Sequence, residues 1–427
     1  MVEQGQEADA RVDVVVIGMG QAGLSAAHHL QRRGFEPGER MLLLDANPGP
    51  GGAWQHRWPS LTLKTANRVN DLPGWGLEDA IDVDEEVPAA QTVPRYYRAY
   101  EERFGLRVER PVTVERVEQP GGVGSDFVVT VSGESAAGLG GASGAGDGQG
   151  ADAGADADVG ADADAGTGGD AGAGARAGSE AGASSRTIRA RAIVNATGTW
   201  DRPRIPYYPG IGTFAGRQLH TRDYTRAEDF TGMRVLVVGA GISAVQHLAE
   251  LAPVAQTHWV SRSRPDIRNA AFTPEVGADV VARVDERVRQ GLPPASVVSN
   301  TGLPIAAVET GSLPQCHPMF DRLDEHGAVW DPLSLRSWGS APAGRRIDVD
   351  VILWATGFLH RLDHLAPLGL RTDGGGILVD GRATTRAVWN PGVHLPGYGP
   401  SASTIGANRA GRWVAREVQE YLATRDG

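Results

Sequence analysis

The chain has 427 residues, with 41 Lys+Arg against 52 Asp+Glu and a formal charge of −11, a length suited to two or three domains of ~100–200 residues. Its single cysteine, Cys316, excludes an internal disulfide or dithiol pair. No apolar run approaches the ~18 residues of a membrane span, the acidic start suits no signal peptide, and the lack of a basic cluster argues against nucleic acid, so the expectation is a cytoplasmic protein.

In chain order, the first element is residues 12–17, a nearly continuous β-branched run that predicts a parallel strand buried on both faces. It leads into Gly18, Gly20 and Gly23 at Gly-x-Gly-x-x-Gly spacing. A helix follows, with Ala22, Ala26, Ala27 and Leu30 on one face, ending near Gly34. A second apolar run, 41–44, closes on Asp45. Each part has a task if a dinucleotide binds here. Gly18 permits the tight turn, Gly20 lets a pyrophosphate approach the backbone, and Gly23 lets the helix pack against the sheet. The helix N-terminus faces the phosphate charge, and Asp45 accepts from a ribose diol. Gly51-Gly52-Ala53-Trp54 comes next and, taken alone, also suits an ordinary glycine turn. His56 and Arg57 suit either an approach to a ligand or packing.

Residues 126–131 and 189–194 read as strands on either side of an unusual tract. Residues 133–185 hold 17 Gly and 17 Ala among 53, a composition that cannot bury enough apolar area to offset ordering entropy. The tract is expected to be a disordered insert at the tip of a hairpin. The loop-closure cost of such an expansion grows by only ~0.6 kcal/mol per doubling.

The first pattern then recurs. Residues 235–238 lead into Gly239, Gly241 and Ala244, followed by a helix carrying Val245, Leu248 and Leu251. The next strand, 257–260, ends in Ser261-Arg262-Ser263-Arg264 rather than in an acid. An acid there would repel a 2′-phosphate, whereas Ser261 and Arg262 would bind it; a solvated basic loop is the other reading. Cys316 and His317, bracketed by Pro314 and Pro318, are expected on a surface loop rather than as a catalytic pair. The eleven histidines show no metal-ligand spacing, so no metal is expected. Near the end, residues 397–406 precede a helix with Val414, Val418 and Leu422 on one face. The expected fold class is α/β, with two nested Rossmann-like dinucleotide-binding units.

Several of these features together resemble the flavin-containing monooxygenases. They are the two fingerprints in this order, the Gly-Gly-x-Trp element around Gly52 and Trp54, and Phe214-x-Gly216-x-x-x-His220-x-x-x-Tyr224 ahead of Gly239. Two apolar strands ending in Ala-Thr-Gly, at 196–198 and 355–357, complete the set. Tyr224, where Baeyer–Villiger monooxygenases carry Trp, points to the former family.

The resemblance implies an FAD-binding part at 1–201, an NADP-binding part at 202–358 and a return to the FAD-binding part at 359–427. It implies FAD and NADPH as cofactors, with molecular oxygen and a small nitrogen- or sulfur-containing molecule as substrates. Oxygen transfer would run through a flavin C4a-hydroperoxide. The alternatives are an NADPH oxidase or acceptor reductase without oxygenation, and a flavin-loaded binding protein. The family's asparagine near the flavin maps onto Asn67. The helix start at Ser403 and Thr404 would lie beside the flavin pyrimidine ring, although a simple capped terminal helix suits the same residues.

Overall fold

The computed structural model describes residues 10–66, 69–84, 86–133, 185–265, 267–268, 274–294, 303–304 and 313–427. Strand β1 (Ala10–Ile17) runs into helix α1 (Gln21–Gln31) and returns as β2 (Met41–Leu44). β1 pairs in parallel with β2, from Val14↔Met41 to Ile17↔Leu44. On its other side it pairs with β4 (Ser185–Asn195), again in parallel. The β-branched run is explained by where its side chains go. Val14 and Val16 feed one core with Leu24, Leu30 and Val414, while Val15 and Ile17 feed the opposite core with Val114 and Phe127.

β3 (Phe127–Gly133) lies antiparallel to β4, from Phe127↔Ala190 to Ser132↔Ser185. The two strands flanking the Gly/Ala-rich tract are therefore hairpin partners, as their sequences predict. The tract's interior, 134–184, lies outside the described residues.

The second unit repeats the architecture. Its parallel sheet runs in the order Cys316–Pro318, β6 (Gln256–Ser261), β5 (Arg234–Val238), β7 (Val351–Trp354), Arg217–His220. Helix α2 (Ile242–Leu251) covers one face and buries Ala244, Val245, Leu248 and Leu251. Cys316 and His317 differ from expectation: they lie in the edge strand, with Cys316 opposite Trp259 and Pro318 opposite Ser261. Proline is tolerated at such an edge, where a missing N–H breaks no interior ladder.

After the second sheet the chain returns to the first, where Val393 and His394 pair with Ile193 and Val194 of β4. The final helix α3 (Thr404–Asp426) packs along α1. Gly411 makes that contact possible, since a Cβ there would stand 2.2 Å from Ser25 Oγ. Among the described residues no helix is long and apolar enough to cross a membrane.

Candidate functional site

The glycine turn after β1 is fixed from two sides. Gly18 N donates to Leu44 O at 2.7 Å, and Ala196 N donates to Ile17 O at 2.7 Å. Gly18 has φ +91°, and a Cβ on it would lie 2.7 Å from Ala196 O. Gly23 is tighter still, its added Cβ falling 1.9 Å from Gly18 O. Gly20, by contrast, faces open space: a Cβ there would meet only Gly52 Cα at 3.8 Å. Gly20 caps α1 without any side-chain hydrogen bond, so the helix N-terminus is open to an anion.

A cavity of about 310 Å³ extends from this turn. Its lining brings together Gly18, Gly20, Asp45, Gly52, Trp54 and Ser403, which the sequence singles out. With Thr197 and Gly198 of the Ala-Thr-Gly motif come residues the sequence did not mark: Asn47, the segments 112–114 and 199–201, Arg361 and His364. These come from strand ends and connections far apart in the chain. The Ala-Thr-Gly motif was their one signal, with Thr197 Oγ1 donating to Arg361 O at 2.7 Å.

Asp45 is buried, and its carboxylate is largely occupied. Oδ2 accepts from Met19 N at 2.8 Å, and Oδ1 accepts from Asn47 N at 2.8 Å and Asn47 Nδ2 at 2.9 Å. This arrangement dictates the next link. Because a carboxylate only accepts, the Asn47 side chain must present its NH₂ to Asp45. Asn47 Oδ1 is then left to accept from His56 Nε2, 2.8 Å away. Burial holds the His56 pKa below its ordinary value, so the ring is neutral near pH 7 with its proton on Nε2 and its Nδ1 an acceptor.

At the far end of the cavity, Ser403 caps α3, its Oγ accepting from Gly406 N at 3.0 Å. The helix is thus a capped terminal helix and also directs its N-terminus at the cavity, so the two readings are compatible. Thr404 begins the helix; its side chain and Asn67 lie outside the described residues.

In the second unit Gly239 N donates to Val260 O at 2.9 Å, and a Cβ on Gly239 would lie 2.3 Å from Ala355 O. Gly241 caps α2 with nothing within 4 Å of an added Cβ. Ser261 turns inward: it is 1% exposed, and its Oγ donates to Ser263 O at 2.6 Å. Arg262 and Arg264 are exposed at the end of the same strand, and the Arg262 carbonyl accepts from Trp338 Nε1 at 3.0 Å. Burial pushes the nearby Cys316 thiol up to about 12, which keeps it protonated.

The Phe214–Tyr224 motif is anchored within the second unit and leads to a link with the first. A Cβ on Gly216 would strike Asp350 O at 2.4 Å. His220 Nδ1 accepts from Arg222 N, so Nε2 is the donor to Gly357 O at 2.9 Å. Tyr224 OH donates to Glu250 Oε2 at 2.8 Å. The same carboxylate accepts from Trp58 Nε1 at 3.0 Å and Ser60 Oγ at 2.8 Å. Glu250 of α2 therefore holds the segment that follows Trp54, a connection the sequence did not signal.

Comparison with known proteins adds an independent line. Residues 178–273 match the family described as flavin-binding monooxygenase-like, and 13–117 match FAD dependent oxidoreductase. A flavin-containing monooxygenase from Stenotrophomonas maltophilia is 31% identical with a TM-score of 0.66, covering 97% of this chain and 99% of that one. The indole-3-pyruvate monooxygenase of Oryza sativa subsp. japonica is 28% identical over 236 residues, 54% of this chain and 43% of its own length. A trimethylamine monooxygenase from Methylocella silvestris is 44% identical over 52 residues, 12% of each chain. The chain spans about half the length of the first curated relatives it matches.

Proposed function

Because the chain belongs to the flavin-containing monooxygenase family, we propose that it is an FAD- and NADPH-dependent monooxygenase of a small nucleophile that reacts through nitrogen or sulfur. The observation that carries this reading is the cavity between the open N-terminus of α1 and that of α3, set beside a second complete dinucleotide unit. The residues fit FAD: Gly20 and Gly52 leave a cradle free of side chains, and the N-termini of α1 and α3 offer positive charge from two directions. When bound and reduced, FAD supplies the activation of molecular oxygen, the part of the chemistry no side chain here could perform.

The chain's own residues bind, orient and exclude water. Gly18 and Gly23 shape the turn at which Gly20 and the N-terminus of α1 receive the FAD pyrophosphate, and Asp45 accepts from the ribose. Gly52, Trp54 and Ser403 border the flavin, and the family resemblance assigns Thr404 and Asn67 to the same neighbourhood. In the second unit Gly239 and Ala244 shape the turn at which Gly241 receives the coenzyme pyrophosphate. Arg262 grips the 2′-phosphate, and Ser261 shapes the turn that presents it. On this assignment 1–201 and 359–427 form the FAD-binding part and 202–358 the NADP-binding part. The trimethylamine-oxygenating relative favours nitrogen as the reacting atom.

The test is stoichiometric. Purified protein is supplied with NADPH, oxygen and either a tertiary amine or a thioether, and oxygenated product is counted against NADPH consumed. Near-equal amounts with one of the two are expected. Peroxide equal to the NADPH consumed, with no product from either, would make the protein an oxidase instead.

A further inference from the structure

Among the described residues, no side chain pairs with the positive charge that Arg57 carries to the cavity wall. Its Nε is buried without a partner, and among the described residues its guanidinium makes no hydrogen bond or ion pair. The guanidinium lies 4.5 Å over the Trp200 ring and 5.9 Å from that of Trp54. Burial pushes its pKa down to about 10, with no carboxylate close enough to hold it up.

The acids of the cavity wall are committed elsewhere. Asp45 serves Met19 and Asn47, and Asp201 stands 3.3 Å from Arg361 and 3.8 Å from Arg222. The guanidinium is half-buried with its Nε shut off from water and no anionic partner among the described residues, which is unfavourable, and aromatic faces offset only part of that. A guanidinium held over an indole face still offers its planar fork to an oxyanion.

We propose that Arg57 is an anion-binding residue of this cavity, gripping an oxyanion of the ligand that fills it: a phosphate of FAD or a carboxylate of the molecule to be oxygenated. The first source rests on the FAD reading above; the second does not.

The experiment compares the unmutated protein with Arg57→Met, Arg57→Gln and Arg57→Lys. Flavin-free protein is titrated with FAD and followed by flavin fluorescence, with inorganic pyrophosphate as competitor. A phosphate source predicts a dissociation constant raised roughly 10- to 100-fold in the Met and Gln variants. It also predicts partial recovery in the Lys variant and loss of competition by pyrophosphate. A carboxylate source predicts unchanged FAD affinity. Benzoate would then perturb the visible flavin spectrum of the unmutated protein and not that of the Met or Gln variant.

Thermal melting separates both from a packing role. Removing an uncompensated charge leaves the flavin-free Arg57→Met protein at least as stable as the unmutated one, whereas loss of a merely structural side chain lowers its Tm. FAD affinity within twofold together with an unchanged benzoate response would overturn the proposal, as would a lower Tm of flavin-free Arg57→Met and Arg57→Gln alike. Failure of the unmutated protein to bind FAD, with pyrophosphate or benzoate still bound through Arg57, would instead overturn the FAD reading and leave the anion site standing.

Discussion

In the first unit Gly18 N donates to Leu44 O and Ala196 N to Ile17 O; in the second Gly239 N donates to Val260 O and Ala355 N to Val238 O. The two glycine turns are wired alike, and in both the first glycine is forced by a carbonyl of the neighbouring Ala-Thr-Gly strand. The units diverge at the third position. Gly23 sits where a Cβ would stand 1.9 Å from Gly18 O, while Ala244 carries a Cβ in a fully buried site. The helix entry is correspondingly looser in the second unit, with Val245 N to Gly241 O at 3.3 Å against 2.9 Å for Leu24 N to Gly20 O. They diverge again at the end of the second strand, a buried and multiply bonded Asp45 in one and an exposed Arg262 in the other. One backbone plan thus carries two different strand ends, and the tight version borders a cavity.

The sharpest break in this comparison is a swap at the third position. Gly23→Ala forces the turn to move and is expected to cost ~1–3 kcal/mol or more, read as lost flavin and lowered Tm. Ala244→Gly relieves no clash, so it should cost only about 1 kcal/mol through helix propensity and leave flavin content unchanged. Equal losses would mean the two turns are not built differently.

Next comes the link between the units. Glu250→Ala abandons the Trp58, Ser60 and Tyr224 donors at once. It is expected to lower stability by ~1.5–3 kcal/mol, while Glu250→Gln, which keeps an acceptor oxygen, loses less. Denaturant unfolding measures both, and no difference between Ala and Gln would discount the hydrogen bonds.

A third effect is specific to acid. His247 lies buried beside Trp58 and Tyr224, and desolvation lowers its pKa to about 3. Its folded pKa lies below the unfolded value of ~6.5, so the unfolded chain takes up the proton first as pH falls. Stability is therefore unaffected above ~6.5 and drains away below it, by up to ~1.4 kcal/mol per pH unit for each such group. His247→Leu should flatten the decline between pH 6 and 4 by one proton's worth of slope. An unchanged slope would place the acid sensitivity in the other buried histidines.

The smallest expected effect is at the insert. Ser132 lies opposite Ser185, so replacing the intervening residues 133–184 by a short Asn-Gly turn should join the strands directly and change Tm and flavin content little. A large loss would give the tract a role.

These comparisons also show what could be read from the sequence alone. β1, β2, β5 and their glycine turns were legible because strand burial, turn and helix entry are local patterns. Cys316–Pro318 was not, since a three-residue edge strand framed by prolines carries the same local signals as a loop. The 112–114 segment and Arg361 join the cavity only through long-range packing, and Asn47, two residues after Asp45, belongs to no motif. Glu250 looks like any glutamate on a helix until Trp58, Ser60 and Tyr224 converge on it. Ser261 was legible as the strand end; that its hydroxyl turns inward depended on Ser263 and the adjoining edge strand.

The central claim, that the first unit holds FAD while the second selects a 2′-phosphate, meets its most direct test in anaerobic flavin reduction. Bleaching of the bound flavin is followed with NADPH and with NADH at equal concentrations, in the unmutated protein and in Arg262→Ala. A lost charge-assisted contact of ~1.5–3 kcal/mol predicts roughly a 10- to 100-fold advantage for NADPH. That advantage should collapse in the variant while the NADH rate stays the same. Equal rates with both coenzymes in the unmutated protein, or no bleaching with either, would contradict the account.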